Sequence, residues 1–285
     1  YDPGARRVVA RWPLEGDCRF ARWLAPGTVL AGCGPGLYVL REGDTAGSPR
    51  DVDGSLLVAA DVGARLVAVT TAASGVFVFH RDRLLAPHRE APPDRLGLSV
   101  AAAPRHDLAF MGTQSSLHVF ELSTGRHLRR VDFGVDARRL IATDDALLVS
   151  HGHSVTRFAL PSLARTQSFA TNRGLLFSLA LDGDRVYAGS SGGSLYTCGL
   201  SSGLIEGVVP VAGAALRGIA PTPGPGWAVA AGPQISIVLD GAARPLATLP
   251  ADLLDLTWHA RDEVLLATDL MGGVWAIDPG SGEAT

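Results

Sequence analysis

The residues whose spacing could bind a metal are His151 and His153, which are separated by one glycine and end a predicted strand. A zinc site normally needs three or four ligands. No cysteine or carboxylate has a place beside these histidines that the sequence guarantees. We therefore expect no metal site, and His151 and His153 remain the candidates to check.

Two glycine-rich segments resemble the motifs of nucleophilic or nucleotide-binding sites. Gly189–Gly193 reads G-S-S-G-G and matches the G-x-S-x-G elbow, which requires a strand that enters a helix. Here the predicted next element is another strand, so we interpret the segment as a turn. Gly32–Gly36 also joins two predicted strands and lacks the following helix whose N-terminus would hold a phosphate. Neither segment predicts a catalytic or cofactor-binding residue.

The composition excludes several classes of function. The sequence has 285 residues and no lysine, so all 25 basic residues are arginine. This excludes Schiff-base enzymes, P-loop hydrolases and protein kinases, which need an ammonium group at the reacting centre. The net charge of −3 argues against bulk binding to nucleic acid or to an acidic membrane. No apolar run approaches the roughly 18 residues of a membrane-spanning helix.

The three cysteines, Cys18, Cys33 and Cys198, are too few and too scattered to predict a disulfide framework or a zinc site. A reducing compartment is the default in that case. The sequence therefore predicts a cytoplasmic protein without a cofactor.

An internal repeat is the strongest signal in the sequence. Seven short segments, each aliphatic at its first position and apolar at its fourth, recur every 38 to 41 residues and begin at Leu37, Val76, Leu117, Val155, Leu195, Ile235 and Val274. Around each segment the pattern indicates four strands of about five residues joined by Gly, Asp and Ser turns. Units of four strands with a period of about 40 residues are typical of propeller blades.

The sequence predicts an all-β, seven-bladed β-propeller with four-stranded antiparallel blades in a single domain. After Val274–Ile277 too few residues remain for a turn and a fourth strand, whereas Arg7–Trp12 reads as a strand without a blade. We expect this N-terminal strand to close the last blade and remove a free sheet edge. The predicted blades are 14–52, 53–93, 94–134, 135–172, 173–213, 214–250, and 251–285 with 6–13.

The units resemble those of the WD-repeat and quinoprotein-like superfamilies of β-propellers. Leu117–Gly125 (LHVFELSTG) and Gly272–Glu283 (GGVWAIDPGSGE) are similar to the third strand and following turn of such repeats. The resemblance covers essentially the whole chain and fits a divergent bacterial propeller. It implies a rigid disc that belongs to a multi-component signalling or conflict-response system.

Charged residues follow the predicted repeat in two sets. Acidic residues recur in the predicted turns after the first strands, where aspartate is a common turn former: Asp61, Asp107, Asp144, Asp145, Asp182, Asp184, Asp262 and Glu263. Arginines lie at or just before the first strand in five units: Arg19, Arg95, Arg138, Arg139, Arg173 and Arg217. If these connections open on one face, the arginines form a ring around one mouth of the central channel. Such a ring suits the carboxylates or phosphates of a partner.

The favoured hypothesis is a non-catalytic interaction scaffold or sensor that binds other proteins, or other domains of a longer chain. Two alternatives stay open. One is a propeller enzyme, either a quinoprotein-like oxidoreductase or a lactonase-type hydrolase. The other is a sensor that binds a small anion in the arginine-lined mouth.

Overall fold

The computed structural model describes residues 12–14, 17–25, 28–41, 50–51, 57–62, 66–71, 75–80, 88–90, 97–171, 174–222, 225–259 and 263–278. Within these ranges the chain forms 28 strands and one turn of 3-10 helix, η1 (Pro104–His106), which connects two strands. The strands are grouped by hydrogen bonding into seven antiparallel sheets of four. We number these sheets one to seven by the order of their first strands.

The first strand of each sheet is the innermost. These strands are β2 (Cys18–Ala25), β6 (Leu57–Val62), β10 (Gly97–Ala103), β14 (Ala137–Ala142), β18 (Leu176–Asp182), β22 (Leu216–Pro221) and β26 (Leu253–His259). Each first strand packs against the first strand of the next sheet, and β26 packs against β2. The first strands therefore form a closed ring.

The second and third strands complete the middle of each sheet. The second strands are β3 (Thr28–Cys33), β7 (Leu66–Thr71), β11 (Leu108–Thr113), β15 (Ala146–His151), β19 (Arg185–Ser190), β23 (Trp227–Ala231) and β27 (Val264–Asp269). The third strands are β4 (Gly36–Arg41), β8 (Gly75–His80), β12 (Ser116–Glu121), β16 (Ser154–Ala159), β20 (Ser194–Gly199), β24 (Gln234–Leu239) and β28 (Gly273–Ile277). All seven repeated segments of the sequence lie in third strands.

The outer strands are less regular than the inner ones. They are β5 (Arg50–Asp51), β9 (His88–Glu90), β13 (His127–Asp132), β17 (Ala164–Ala170), β21 (Ile205–Pro210), β25 (Ala242–Thr248) and, in the seventh sheet, β1 (Trp12–Pro13). β1 pairs with β28 through Trp12 opposite Val274 and Pro13 opposite Gly273.

The predicted strand length of about five residues is wrong for part of this outer edge. Six sheets are each formed by one continuous stretch of chain, whereas the seventh combines β26–β28 with β1. Within the described residues, β1, β5 and β9 contain only two or three residues each. An outer strand pairs along one edge and exposes most of its side chains, so little apolar burial favours a longer pairing. The Arg7–Arg11 part of the predicted closing strand lies outside the described residues.

The core lies between the sheets. The described residues form seven hydrophobic clusters, and each cluster joins two neighbouring sheets, including the seventh and the first. Aromatic side chains on the third strands fill these interfaces, as Phe77, Phe120 and Phe158 do. Bulky side chains are needed at these interfaces because each face of a flat sheet must pack against the neighbouring sheet.

The cysteine prediction is also wrong, because Cys18 and Cys33 form a disulfide. Cys18 begins β2 and Cys33 ends β3, and the antiparallel register places them directly opposite each other. Two cysteines that are 15 residues apart in the sequence are therefore in contact across the strand pair. The number and spacing of the cysteines had favoured a reducing compartment. The disulfide removes that argument, since disulfides persist mainly in oxidising environments. A cytoplasmic location stays a prediction.

Candidate functional site

A cavity of about 290 Å³ lies on the axis of the ring. All seven first strands contribute residues to its wall, so it is part of the central channel. Its charged lining residues are Arg22, Asp61, Arg139, Arg217 and Asp255. The channel is therefore the place in the described structure where charged side chains from distant parts of the sequence converge.

A β-bulge at the second residue of every first strand sets the geometry of one channel mouth. The pairing with the second strand skips this residue in each sheet. A bulge leaves the extra residue unpaired and redirects its side chain. The equivalent residues form what we call the bulge ring: Arg19, Val58, Leu98, Arg138, Phe177, Arg217 and Leu254.

Three of the six predicted arginines, Arg19, Arg138 and Arg217, belong to the bulge ring. Arg139 is the next residue along β14 and lines the cavity. The remaining two, Arg95 and Arg173, lie outside the described residues. The repeat thus brings Arg19, Arg138 and Arg217 to equivalent positions at the mouth where the first strands begin.

Two of these guanidinium groups flank one aromatic ring. The Arg138 guanidinium carbon lies 4.4 Å from the centroid of the Phe177 ring, and that of Arg217 lies 5.4 Å from it. Cation–π contacts at these distances hold a guanidinium in place without using its hydrogen-bond donors. We call Arg138, Phe177 and Arg217 the arginine mouth.

The three arginines of the bulge ring differ in their acidic partners. Arg138 pairs with Asp136, and Arg19 pairs with Asp17 at 3.1 Å. Arg217 is exposed, and among the described residues it has no carboxylate within ion-pair distance. Its guanidinium is therefore the one in the arginine mouth that is available to an external anion.

Arg139 has a different role from the one that the sequence predicts. Its Nε donates to the carbonyl of Phe177 at 3.0 Å, and its Nη2 donates to the carbonyl of Arg217 at 3.2 Å. Nη2 also lies 3.8 Å from Oδ1 of Asp255. Burial lowers the pKa of Arg139, and the Asp255 carboxylate partly offsets this effect. Arg139 thus links the fourth sheet to the fifth, sixth and seventh.

Arg22 and Asp255 are site residues that the sequence analysis missed. Nη1 of Arg22 donates to Oδ2 of Asp255 and, at 2.9 Å, to the carbonyl of Ala21. Asp255 therefore accepts Arg22 on one oxygen and faces Arg139 with the other. A signal for both existed, because a charged residue inside an otherwise apolar first strand has to face the channel or another charge.

Asp61 is placed differently from its prediction as a turn residue. It lies within β6, lines the cavity, and its Oδ2 accepts the backbone N–H of Ala102 at 2.8 Å. Burial raises the pKa of the Asp61 carboxyl, and the Ala102 N–H and the Arg22 charge oppose this shift. The bond to Ala102 joins the second sheet to the third.

Three acidic residues on turns, Asp107, Asp144 and Asp184, are held by partners within the fold. Asp107 accepts the backbone N–H and the hydroxyl of Ser123, and Asp184 makes the same two bonds with Ser201. Asp144 pairs with Arg105 at 2.8 Å. These contacts reach the turn after the third strand or the neighbouring sheet, and none is to the backbone two residues on, so the interpretation of the acidic residues as turn formers stays a prediction. Asp262 lies outside the described residues.

The two candidate metal ligands are engaged in other contacts. The His151 ring stacks on Phe133 with centroids 4.4 Å apart, and its Nε2 lies 2.7 Å from the Thr156 hydroxyl. Nδ1 of His153 lies 2.9 Å from the carbonyl of Gly174. Burial lowers the pKa of His151. In the described part of the chain, no three His, Cys, Asp or Glu residues are grouped closely enough to hold a metal.

The G-S-S-G-G segment forms the end of β19 and the turn into β20. Ser190 is buried, and its hydroxyl accepts the backbone N–H of Ser194 at 3.1 Å. The Ser191 hydroxyl accepts the backbone N–H of Leu175 at 3.0 Å. The Ser190 hydroxyl therefore supports the turn, and the Ser191 hydroxyl supports the connection that enters β18.

Exposed apolar residues lie on the same face of the disc as the arginine mouth. In an antiparallel sheet, the turn between the second and third strands lies at the end where the first strand begins. The connections that enter the first strands lie at the same end. Val135 and Leu175 lie in such entering connections, and Leu270 and Met271 lie in such a turn. Met271 is 82% exposed and the other three are about 40% exposed. This face of the disc therefore presents both charged and apolar side chains to solvent.

Comparisons with known proteins show the fold of this chain, and they show neither its family nor its function. A solved structure described as the computationally designed Ika8 protein is similar to this chain, with a TM-score of 0.74 and 14% sequence identity. The match covers 96% of this chain and 88% of that one. This chain is a β-propeller. Neither a protein-family model nor a curated protein matches the sequence. Among the described residues, no helix has the length and apolar character to cross a membrane.

Proposed function

We propose that this β-propeller is a non-catalytic protein-interaction module whose arginine mouth receives an acidic group of a partner. The group is an Asp or Glu side chain or a C-terminal carboxylate. The observation that carries the proposal is Arg217, an exposed guanidinium held beside Phe177 with no carboxylate partner in the described structure. We also propose that the chain is a divergent member of the WD-repeat and quinoprotein-like propellers, supported by its repeat and its third-strand segments.

The chemistry of the mouth favours a carboxylate. A guanidinium presents a planar fork of donors that matches a carboxylate in two parallel hydrogen bonds. Because Phe177 already orients Arg217, little side-chain entropy is lost when the anion binds. A concave mouth also concentrates the field of its charges. The exposed side chains of Val135, Leu175 and Met271 on the same face are available for apolar contact with other residues of the partner.

A display experiment with a random peptide library tests this function. We expect the immobilised protein to enrich peptides in which Asp, Glu or a free C-terminus lies next to apolar residues. Arg217→Glu should abolish this enrichment, because it places a like charge where the acidic group binds. Raising the salt concentration should weaken the binding of the selected peptides, since salt screens a charge contact that is exposed to solvent.

The matched control is Arg105→Glu, an equal charge reversal at the opposite face of the disc, in η1. Arg105 is well exposed and pairs only at the surface with Asp144, so its reversal should leave peptide binding intact. Arg139 is unsuitable for this test because its reversal would break contacts to three sheets. Enrichment of neutral or basic peptides, or acidic peptides that bind Arg217→Glu as well as the wild type, would disprove the proposal.

A further inference from the structure

The channel cavity continues inward from the arginine mouth and has its own set of charged groups. Arg217 is the second residue of its first strand, whereas Arg22 and Asp61 are each the fifth residue of theirs. The equivalent register places Arg22 and Asp61 deeper along the axis, in the neighbouring sheets one and two. All three line the same cavity of about 290 Å³. A molecule inside the channel would therefore contact residues that a partner at the mouth does not reach.

The existing contacts leave several hydrogen-bonding atoms of the cavity wall available to a further partner. Asp255 is occupied by Arg22 on one side and faces Arg139 on the other. Asp61 accepts one hydrogen bond, from the Ala102 N–H on Oδ2, and no donor to its Oδ1 is found among the described residues. Arg22 and Arg139 each retain N–H donors beyond the bonds that they make. Arg217 has no carboxylate partner in the described part.

The charges on the cavity wall favour an anion of low charge. Three arginines and two aspartates line the cavity, so its described wall carries an excess of one positive charge. A cation would be repelled by Arg22 and Arg139. The volume equals that of about ten water molecules, which is at the lower end for ligand pockets. The occupant must therefore be small.

We propose that the channel cavity binds a small anion that also carries a hydroxyl group, with the anionic oxygens on the arginine N–H donors and the hydroxyl donating to Oδ1 of Asp61. Small hydroxycarboxylates and hydrogen phosphate share this chemistry. The proposal goes beyond the proposed function although both use Arg217, because the occupant here is a free small molecule and its hydroxyl is recognised by Asp61.

Titration calorimetry with two matched pairs of anions tests the site. Lactate and propionate have nearly the same size and differ in one hydroxyl, and near neutral pH hydrogen phosphate carries a hydroxyl that sulfate lacks. We expect the hydroxyl-bearing member of one pair to bind roughly tenfold more tightly than its match, as a hydrogen bond to a charged group provides. The pair that shows this preference identifies the source as a hydroxycarboxylate or a phosphate.

Two variants separate the contribution of Asp61 to anion binding from that of Arg217. Asp61→Asn keeps an acceptor for the Ala102 N–H but removes the negative charge, so the preference within the pair should fall severalfold. The anion without a hydroxyl should bind no more weakly than before, because the variant loses a like charge from the cavity wall. Arg217→Gln should weaken both members of the pair equally. The surface variant Asp145→Asn is the control and should change neither. Equal binding of both members of each pair, no binding of any of the four anions at millimolar concentration, or a preference that survives Asp61→Asn would overturn the proposal.

This outcome does not depend on the peptide experiment. Loss of peptide enrichment in Arg217→Glu together with equal binding of lactate and propionate would leave the interaction function standing and remove the small-anion site. The reverse combination would remove the interaction function alone.

Discussion

Arg139 of the fourth sheet and Asp255 of the seventh face each other across the central channel, with Nη2 of the guanidinium 3.8 Å from Oδ1 of the carboxylate. Each is the third residue of its first strand, so the repeat places them at the same depth. Arg22 of the first sheet contacts the other carboxylate oxygen. One carboxylate therefore joins arginines from two separate parts of the ring.

Asp255→Asn should destabilise the protein, because two partly buried guanidinium groups lose their shared counter-charge. Breaking a buried ion pair from one side typically costs about 3 to 5 kcal/mol. The side chains of Arg22 and Arg139 are 25% and 24% exposed, so solvent screens part of this cost. We expect the free energy of unfolding to fall by about 2 to 3 kcal/mol, measured by urea denaturation.

Asp145→Asn is the matched control for Asp255→Asn. Asp145 pairs with Arg157, but its side chain is 73% exposed. Exposed pairs contribute about 0 to 1 kcal/mol, so this variant should unfold nearly as the wild type does. Similar losses in the two variants would show that the channel ion pair has no special contribution.

Asp61→Asn should change how stability depends on pH. Burial raises the pKa of Asp61 in the folded state above its ordinary value. The folded protein therefore binds this proton more tightly than the unfolded chain, and the associated stabilisation is lost as the pH rises through the raised pKa. The asparagine has no charge to desolvate and can still accept the Ala102 N–H. Thermal unfolding should show the variant gaining stability relative to the wild type as the pH rises from about 4 toward neutrality.

A pH-independent difference between the two proteins would contradict the pKa shift of Asp61.

Gly218→Ala should destabilise the ring where the sixth and seventh sheets meet. A Cβ at Gly218 would lie 2.6 Å from Cβ and 2.8 Å from the backbone nitrogen of Leu256. Backbone cannot move aside as a flexible side chain can, so overpacking should cost about 1 to 3 kcal/mol. Gly213→Ala is the control, because a Cβ there meets nothing within 4 Å. Its stability should stay within about 0.5 kcal/mol of the wild type. Equal stability of the two variants in chemical denaturation would refute the close approach of the sheets.

Thiol titration with Ellman's reagent tests the disulfide. The native protein should react slowly or not at all, because Cys18 and Cys33 are paired and Cys198 is buried. Burial raises the pKa of the Cys198 thiol to about 11, with a smaller contribution from Glu206, so little thiolate is present near pH 8. Denaturation without reductant should expose one thiol, and reduction should expose all three. Three reactive thiols without reductant would show that the disulfide does not form.

Reduction should also weaken the fold. The disulfide closes a loop with a sequence separation of 15 residues. A loop of that size restricts the unfolded chain by about 3 kcal/mol. The melting temperature should therefore fall in the presence of reductant, and Cys198→Ser should show the same fall.

The repeat was readable from the sequence because its cause is local. A strand alternates its side chains between two faces, and Gly, Asp and Ser mark the turns, so the segments that begin at Leu37 and Val274 both show the pattern of a third strand. The equivalent positions of Arg19, Arg138 and Arg217 follow from that repeat. The short outer strands were not predictable, since their length depends on how much burial the edge of each sheet offers.

The sequence by itself determined the period, the strand-rich composition and the arginines that recur at the start of the first strands, because propensity and turn chemistry act over a few residues. Only the tertiary structure decided which charges meet. Arg139 reaches Asp255, Arg22 shares that carboxylate, Asp61 binds the backbone of the next sheet, and Cys18 lies opposite Cys33. These contacts depend on strand register, on bulges and on the closure of the ring, which bring distant residues together through space and leave no local pattern in the chain.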